Sequence, residues 1–136
     1  NWLQLEIAPY VKSDSILSSM SPLAANITWL NLAGTPTTDK GVSYLGNFKH
    51  VTRLHLGNTK VTDAGLSHLK SLTYLESLDL VGTGLSVKGI LALSGLKNLR
   101  RIYLWKTEVT SEGASTLKKA LPNVQINLGS EVSSVQ

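Results

Sequence analysis

Three polar residues in the middle of the chain have the side chains of a hydrolytic triad. They are His55, Ser77 and Asp79, with His55 standing 24 residues before Asp79. A serine becomes a nucleophile where a histidine takes its proton and a carboxylate orients that histidine. A metal site would need a further ligand, such as Glu6, beside His55 and Asp79. Whether these side chains meet depends on the elements that carry them.

Those elements are set by a motif that recurs every 24 residues. The frame L-x-x-L-x-L-x-x-T begins at Ile27, Val51, Leu75 and Leu99. This is the signature of a leucine-rich-repeat solenoid. Each L-x-L piece is a short strand whose alternate residues face the core, and successive strands pair in parallel. Apolar residues at helical spacing, as in 66–72, predict one helix per repeat.

The sequence therefore predicts an α/β fold of one domain. We expect a right-handed leucine-rich-repeat solenoid with a parallel sheet on its concave face and helices on its convex face. The domain spans residues 1–129 and divides into an N-terminal capping repeat (2–26), four full repeats (27–50, 51–74, 75–98, 99–123) and a closing strand (124–128). In the capping repeat, Trp2, Leu5 and Ile7 take core positions. Residues 130–136 are predicted to be a flexible tail.

Three other repeat positions are predicted to be structural. One column is a ladder of hydroxyls that satisfies backbone groups between coils, at Thr35, Thr59, Thr83 and Thr107. A second supplies hydroxyls that cap the helix amino termini, at Thr38, Thr62, Ser86 and Thr110. A third consists of glycines that let a helix approach its neighbours, at Gly41, Gly65, Gly89 and Gly113. The glycines never cluster as they do in a phosphate-binding loop.

The repeat register argues against catalysis. His55 faces Asp79 on the adjacent strand but Ser77 only diagonally, and no sharp turn presents the serine. Asn31 separates Glu6 from His55 by a full strand. We therefore expect no catalytic residue, no metal site and no cofactor, so the protein is not an enzyme. His50 and His68 occupy other repeat positions, where we expect solvated surface side chains.

Binding is instead predicted on the concave strand face, whose residues alternate with the buried leucines. The candidate site comprises Trp29, Asn31, Arg53, His55, Asp79, Arg101, Tyr103 and Trp105. Exposed aromatic residues beside arginines are typical of binding hot spots. Small residues at Ala33 and Gly57 would leave room for a ligand. Such a face offers about 400 Å², which is half of one partner's share of a standard interface.

Three functions remain open from these residues. The first is a non-catalytic module that recognises a protein or peptide. The second is a glycan- or cell-wall-binding module in which Trp29, Tyr103 and Trp105 stack on sugar rings. The third is a structural spacer that packs against a neighbouring domain. The sequence does not predict the oligomeric state.

Composition narrows the partners further. The net charge is +4, but the lysines are scattered over many repeat positions, so we do not expect nucleic-acid binding. No stretch of eighteen apolar residues is present, so we expect no direct membrane insertion. The absence of cysteine removes disulfides, thiolate metal sites and cysteine nucleophiles.

The residues of the repeat motif also resemble those of a known family. The segment T-x-V-T-D-A-G-L-x-H-L at residues 59–69 resembles the 24-residue bacterial leucine-rich repeats related to the cysteine-containing subclass, with threonine at the ladder position. With the terminal Leu121-Pro122-Asn123-Val124, the repeats resemble the carboxy-terminal tails of membrane-anchored proteins that contain c-type cytochromes. The resemblance implies an extracytoplasmic module, periplasmic or membrane-associated through a parent protein. Haem attachment requires C-x-x-C-H, so any cytochrome portion lies outside this chain.

Overall fold

Short strands from successive repeats form one parallel sheet in the computed structural model, which describes residues 2–6 and 12–129. Within these residues the sheet has six strands in chain order: β1 (Leu3–Glu6), β2 (Ile27–Asn31), β3 (Arg53–His55), β4 (Ser77–Asp79), β5 (Arg101–Tyr103) and β6 (Gln125–Asn127). The predicted parallel leucine-rich-repeat sheet is confirmed. The predicted core residue Ile7 and the predicted tail at 130–136 lie outside the described residues.

A short helix follows each of the first five strands. These helices are α1 (Ser15–Ser19), α2 (Asp39–Ser43), α3 (Asp63–Leu66), α4 (Val87–Leu91) and α5 (Ser111–Ala120). The first three continue into 3-10 helices at Ser21–Asn26, Tyr44–Asn47 and Ser67–Ser71. The predicted single helix is therefore split in those repeats, while α5 is one helix of 10 residues. No helix in residues 2–6 and 12–129 is long and apolar enough to cross a membrane.

The strands pair in the register that the repeat period predicts. Leu54 of β3 lies opposite Leu30 on one side and Leu78 on the other. Hydrogen bonding between repeats extends beyond the strand bounds. The amide of Thr52 donates to the carbonyl of Thr28 at 2.7 Å, and that of Asn58 to the carbonyl of Val81 at 2.7 Å. In the repeat that contains β3, hydrogen bonding to the neighbouring repeats therefore extends from Thr52 to Asn58.

The core lies between the sheet and the helices and runs without interruption along the repeats. The strand leucines, the helix leucines and Phe48 belong to one cluster of buried side chains. Leu54, Leu78 and Leu69 are representative, since each is almost fully buried. Because one face of every strand is used in this way, the alternating residues are left on the opposite surface.

The first strand keeps the predicted register from Gln4 to Glu6 and departs from it only at its first residue. Leu3 lies opposite Ile27, and the register shifts between Leu3 and Gln4, so that Leu5 lies opposite Leu30. Leu3 therefore takes the pairing position that the sequence pattern assigns to Trp2, although its side chain is 39% exposed. Trp2 is 64% exposed, and its predicted core position is wrong. The irregularity accommodates the unequal spacing between the first repeat and the second.

Carboxylates link the helix starts of neighbouring repeats. The Oδ1 atoms of Asp14, Asp39 and Asp63 accept the amide of the residue that precedes the next helix, at 2.7 to 3.0 Å. Their Oδ2 atoms accept the hydroxyl of the same residue, at 2.5 Å each. The three donors are Thr38, Thr62 and Ser86. We call these pairs the aspartate ladder.

The aspartate ladder changes the predicted role of the capping hydroxyls. Thr38 and Thr110 do cap their own helices, since their Oγ1 atoms accept the amides of Lys40 and Gly113. Thr62 and Ser86 make no such side-chain cap, so their predicted capping role is wrong. Their hydroxyls are turned towards the preceding repeat, where a charged acceptor forms the stronger hydrogen bond.

The ladder threonines and the glycines of the third column each make one type of contact that recurs from repeat to repeat. Each ladder threonine donates its hydroxyl to the carbonyl three residues earlier in the same repeat, as Thr59 does to Leu56 at 2.7 Å. The predicted bond between coils is therefore wrong, because the acceptor is local. The glycines of the third column do permit a close approach to a neighbouring repeat. A Cβ at Gly65 or Gly89 would overlap the aspartate carboxylate of the preceding repeat.

Candidate recognition face

The side chains that alternate with the buried leucines form the open face of the sheet. β3, β4 and β5 each contribute two such residues, one at the first and one at the third position of the strand. The pairs are in register, so two columns run across the repeats. The first column contains Arg53, Ser77 and Arg101, and the second contains His55, Asp79 and Tyr103.

These two columns line a shallow groove. It encloses about 340 Å³ and is lined by Arg53, His55, Ser77, Asp79, Val81, Arg101 and Tyr103. Five of the eight predicted site residues therefore meet in one place. Trp29, Asn31 and Trp105 do not line this groove, although Trp29 contacts its edge through His55. Ser77 and Val81 belong to the groove and were not among the predicted site residues.

Two half-buried side chains of the second column contact each other directly. His55 Nδ1 lies 3.5 Å from Asp79 Oδ2. Asp79 Oδ1 also accepts the amide of Val81 at 3.0 Å, so this carboxylate orders the turn that follows β4. Ser77 lies opposite Arg53, not His55, so the register does not form a hydrolytic triad. The part of the chain described by the structure holds no cluster of three metal-ligating side chains.

The first column presents three unpaired donors side by side. Arg53 and Arg101 are exposed, and Ser77 between them is half-buried. Within residues 2–6 and 12–129, neither guanidinium group makes a hydrogen bond or ion pair, and the Ser77 hydroxyl makes no hydrogen bond. We call these three residues the donor row. A row of this kind can donate hydrogen bonds to an anionic or carbonyl oxygen from outside the molecule.

The two tryptophans of the predicted site have different surroundings. Trp29 is half-buried and lies edge-on to His55, with ring centroids 5.9 Å apart. Its Nε1 atom is buried and has no hydrogen-bond partner among the described residues. Trp105 is 43% exposed, and the Nζ atom of Lys106 lies 4.9 Å from its ring. Of the two, Trp105 offers the accessible ring.

The residues after the second column close part of the face. Asn31 Oδ1 accepts the amide of Ala33 at 3.0 Å, as Asp79 does for Val81. Gly57 is buried, and a Cβ there would lie 3.2 Å from the carbonyl of Val81. The prediction that small residues leave room here is therefore wrong at Gly57, since the next repeat already fills that space.

An aromatic row at the edge of the sheet was missed by sequence reasoning. The rings of Trp2 and His50 lie 5.2 Å apart, and those of His50 and Tyr74 stack 5.5 Å apart with an interplanar angle of 16°. His50 is half-buried between them, so its prediction as a solvated side chain is wrong. With Thr28 and Thr52 the row lines a groove of about 370 Å³. The available signal was the shared repeat position of His50 and Tyr74.

Comparison with known proteins agrees with this geometry. Residues 49–70 and 71–94 match the family model described as Leucine Rich repeat. The chain has a leucine-rich-repeat fold. No curated protein sequence matches it significantly.

Two solved structures are similar in fold. Internalin C2 from Listeria monocytogenes has a TM-score of 0.67 and 24% identity, covering 93% of this chain and 60% of its own. A leucine-rich-repeat protein from Leptospira interrogans has a TM-score of 0.57 and 19% identity, covering 82% of this chain and 33% of its own. The chain therefore spans less than two thirds of either protein.

Proposed function

We propose that the open face is a non-catalytic recognition surface for a protein or peptide. The observation that carries this proposal is the donor row, in which Arg53, Ser77 and Arg101 have no partner among the described residues. Arginine is enriched at the energetic centres of protein interfaces. A repeat solenoid also presents its strand residues as one continuous surface, so the three donors act together.

The groove geometry favours a peptide over a glycan. A sugar-binding platform needs ring faces that are open to the ligand. Trp29 is half-buried against His55, and Tyr103 is also half-buried. Trp105 is then the exposed ring among the three predicted platforms. The face therefore has three hydrogen-bond donors in the donor row and one exposed ring among the predicted platforms. These donors can bind the backbone carbonyls and acidic side chains of a peptide.

We also propose that the module belongs to a larger extracytoplasmic bacterial protein. The resemblance of its repeats to the tails of membrane-anchored, cytochrome-containing proteins supports this setting. The similar solved proteins are also longer than this chain, as expected for a module of a larger protein. Any haem-bearing portion would be contributed by the parent polypeptide, because this chain has no cysteine.

Selection from a displayed library tests the recognition function. The purified chain is used to select from a phage library of random twelve-residue peptides, and a glycan array is probed in parallel. We expect enriched peptides that bind the chain and lose binding when Arg101 or Trp105 is replaced by alanine. Lys70→Ala, on a 3-10 helix away from the open face, is the matched control and should retain binding.

The two alternatives give different outcomes. Glycan binding that is lost in Trp105→Ala, with no peptide enriched, would favour the sugar-binding module. Enriched peptides whose binding is unchanged in Arg101→Ala and Trp105→Ala would show that this face is not the recognition surface. A chain that enriches no peptide and binds no glycan would be a spacer.

A further inference from the structure

We propose that the donor row clamps a carboxylate from an acidic segment of the partner protein. The carboxylate lies over Ser77, with Arg53 on one side and Arg101 on the other. This inference rests on the proposed recognition function and names the chemistry of its partner. It follows from the spacing, the unpaired state and the charge of the three residues.

The spacing suits one carboxylate held by two guanidinium groups. Arg53 and Arg101 are each the direct neighbour of Ser77 in the sheet. Neighbouring strands lie about 4.8 Å apart, so each arginine stands that far to one side of the serine. A guanidinium at the end of its flexible side chain covers such a distance easily. Both forks therefore reach an acceptor placed above Ser77.

A carboxylate matches these donors better than a neutral acceptor does. Each guanidinium presents N–H groups in a planar fork that pairs with the two oxygens of a carboxylate. The hydroxyl of Ser77 adds a third donor from below. Since neither arginine is paired with a described residue of its own chain, binding an acid breaks no existing ion pair.

The negative charge of Asp79 determines where on the face the ligand carboxylate binds. Asp79 stands two residues after Ser77, about 6.6 Å along β4. Its carboxylate already accepts the amide of Val81 and lies 3.5 Å from His55, but it still repels a second acid nearby. The ligand carboxylate is therefore held at the first column, away from Asp79. Glu76 is exposed beside Ser77, where solvent and salt screen its charge.

A labelled decapeptide of glutamate provides the direct probe, with a decapeptide of alternating glycine and serine as the neutral comparison. Binding to the full chain is measured by fluorescence polarisation at about 0.15 M ionic strength, where exposed charges are screened. We expect Arg53→Gln and Arg101→Gln each to weaken glutamate binding about tenfold, as loss of one charged hydrogen-bonding partner would. Ser77→Ala should weaken it by about threefold.

Arg100 supplies the matched control. It is exposed and adjacent to Arg101, but its Nη1 atom donates to the carbonyl of Lys97 at 3.2 Å, and it is not part of the groove. Arg100→Gln removes the same charge and should change binding by less than about twofold, because exposed charges act weakly on distant groups. Thermal unfolding of every variant should match that of the parent, since all four side chains lie on the surface or near it.

Two results would overturn the clamp. One is absence of glutamate binding to the parent chain. The other is an equal loss in Arg100→Gln and Arg101→Gln, which would indicate attraction by overall charge. The library selection separates this failure from failure of the proposed function. Enriched peptides without acidic residues would remove the clamp and leave the recognition function standing, whereas no enriched peptide would remove both.

Discussion

The carboxylate of Asp63 accepts two hydrogen bonds from Ser86 of the next repeat, one from the amide at 2.8 Å and one from the hydroxyl at 2.5 Å. The same pairing joins Asp39 to Thr62, and the carboxylates are only partly buried. Each bond crosses from one coil to the next at the start of a helix. The aspartate ladder therefore fixes the helices of successive repeats while the strands fix the other side of the core.

Removing one aspartate should destabilise the stack. In Asp63→Ala, the amide and hydroxyl of Ser86 lose a charged acceptor, and we expect the free energy of unfolding to fall by about 1.5–3 kcal/mol. Urea denaturation monitored by circular dichroism measures this change. The control is Glu108→Ala, an exposed acid whose loss should cost less than about 0.5 kcal/mol. Equal effects in the two variants would show that the ladder contributes nothing specific.

The aspartate ladder ends at Val87, which holds the repeat position of Asp39 and Asp63. Val87→Asp should place a carboxylate near Thr110, whose amide and hydroxyl correspond to those of Ser86. Thr110→Val deletes that hydroxyl. A double-mutant cycle between Val87→Asp and Thr110→Val should therefore give a coupling energy of about 1 kcal/mol in favour of the aspartate–threonine pair. Additive stabilities in urea would contradict the proposed extension.

Gly65 should tolerate no side chain, because the space above it is occupied by another repeat. A Cβ there would overlap the carboxylate of Asp39 and lie 3.2 Å from the Asp39 Cα, so the carboxylate must leave its place in the aspartate ladder. Gly65→Ala should cost about 1–3 kcal/mol. A Cβ at Gly95 would have no other atom of the described residues within 4 Å, so Gly95→Ala should be neutral or slightly stabilising. Thermal unfolding of both variants tests this difference. An unchanged melting temperature for Gly65→Ala would rule out a close approach between Gly65 and Asp39.

The sequence predicts the sheet because the repeat period alone determines which residues lie opposite one another. Leu30, Leu54 and Leu78 align for that reason, and so do the columns of the open face. The direction of the Thr62 hydroxyl was not predictable in the same way. A hydroxyl both donates and accepts, and its choice of Asp39 depends on a residue of the preceding coil. The prediction for Trp2 was wrong because the register shift, which pairs Leu3 with Ile27, is not visible in the repeat period.

Within the candidate site, the sequence predicts which residues share the face but not how far each is buried. Trp29 and Trp105 lie on the same surface, but Trp29 is half-buried against His55. Trp105 has no such ring neighbour among the described residues of the second column and is 43% exposed. Burial of this kind depends on side-chain conformations that the repeat period does not determine. The unpaired state of Arg53 and Arg101 also became visible only in three dimensions.

The contribution of each ladder threonine to the stability of the fold should increase with the burial of its hydroxyl. Thr83 is 4% exposed and donates to the carbonyl of Leu80. The amide of Thr83 also donates to this carbonyl at 3.3 Å, so Thr83→Val removes one of two donors in a site closed to water, which should cost about 0.5–1.5 kcal/mol. Thr107 makes the equivalent bond to Leu104 at 2.7 Å but is half-exposed. Water can replace the lost donor there, so Thr107→Val should cost less. Chemical denaturation that ranks the two variants in the opposite order would contradict this explanation.

The aromatic row should matter little for stability, since its rings lie on the surface. Trp2 is 64% exposed and Tyr74 is 53% exposed. Trp2→Ala should therefore lower the free energy of unfolding by less than about 1 kcal/mol, whereas removal of a tryptophan from a core costs about 3–5 kcal/mol. Leu75→Ala, directly beside Tyr74 and 0% exposed, provides the core comparison and should cost about 2–5 kcal/mol. Denaturation curves should separate the two variants clearly. A loss of about 3 kcal/mol or more in Trp2→Ala would contradict the exposed position of its ring.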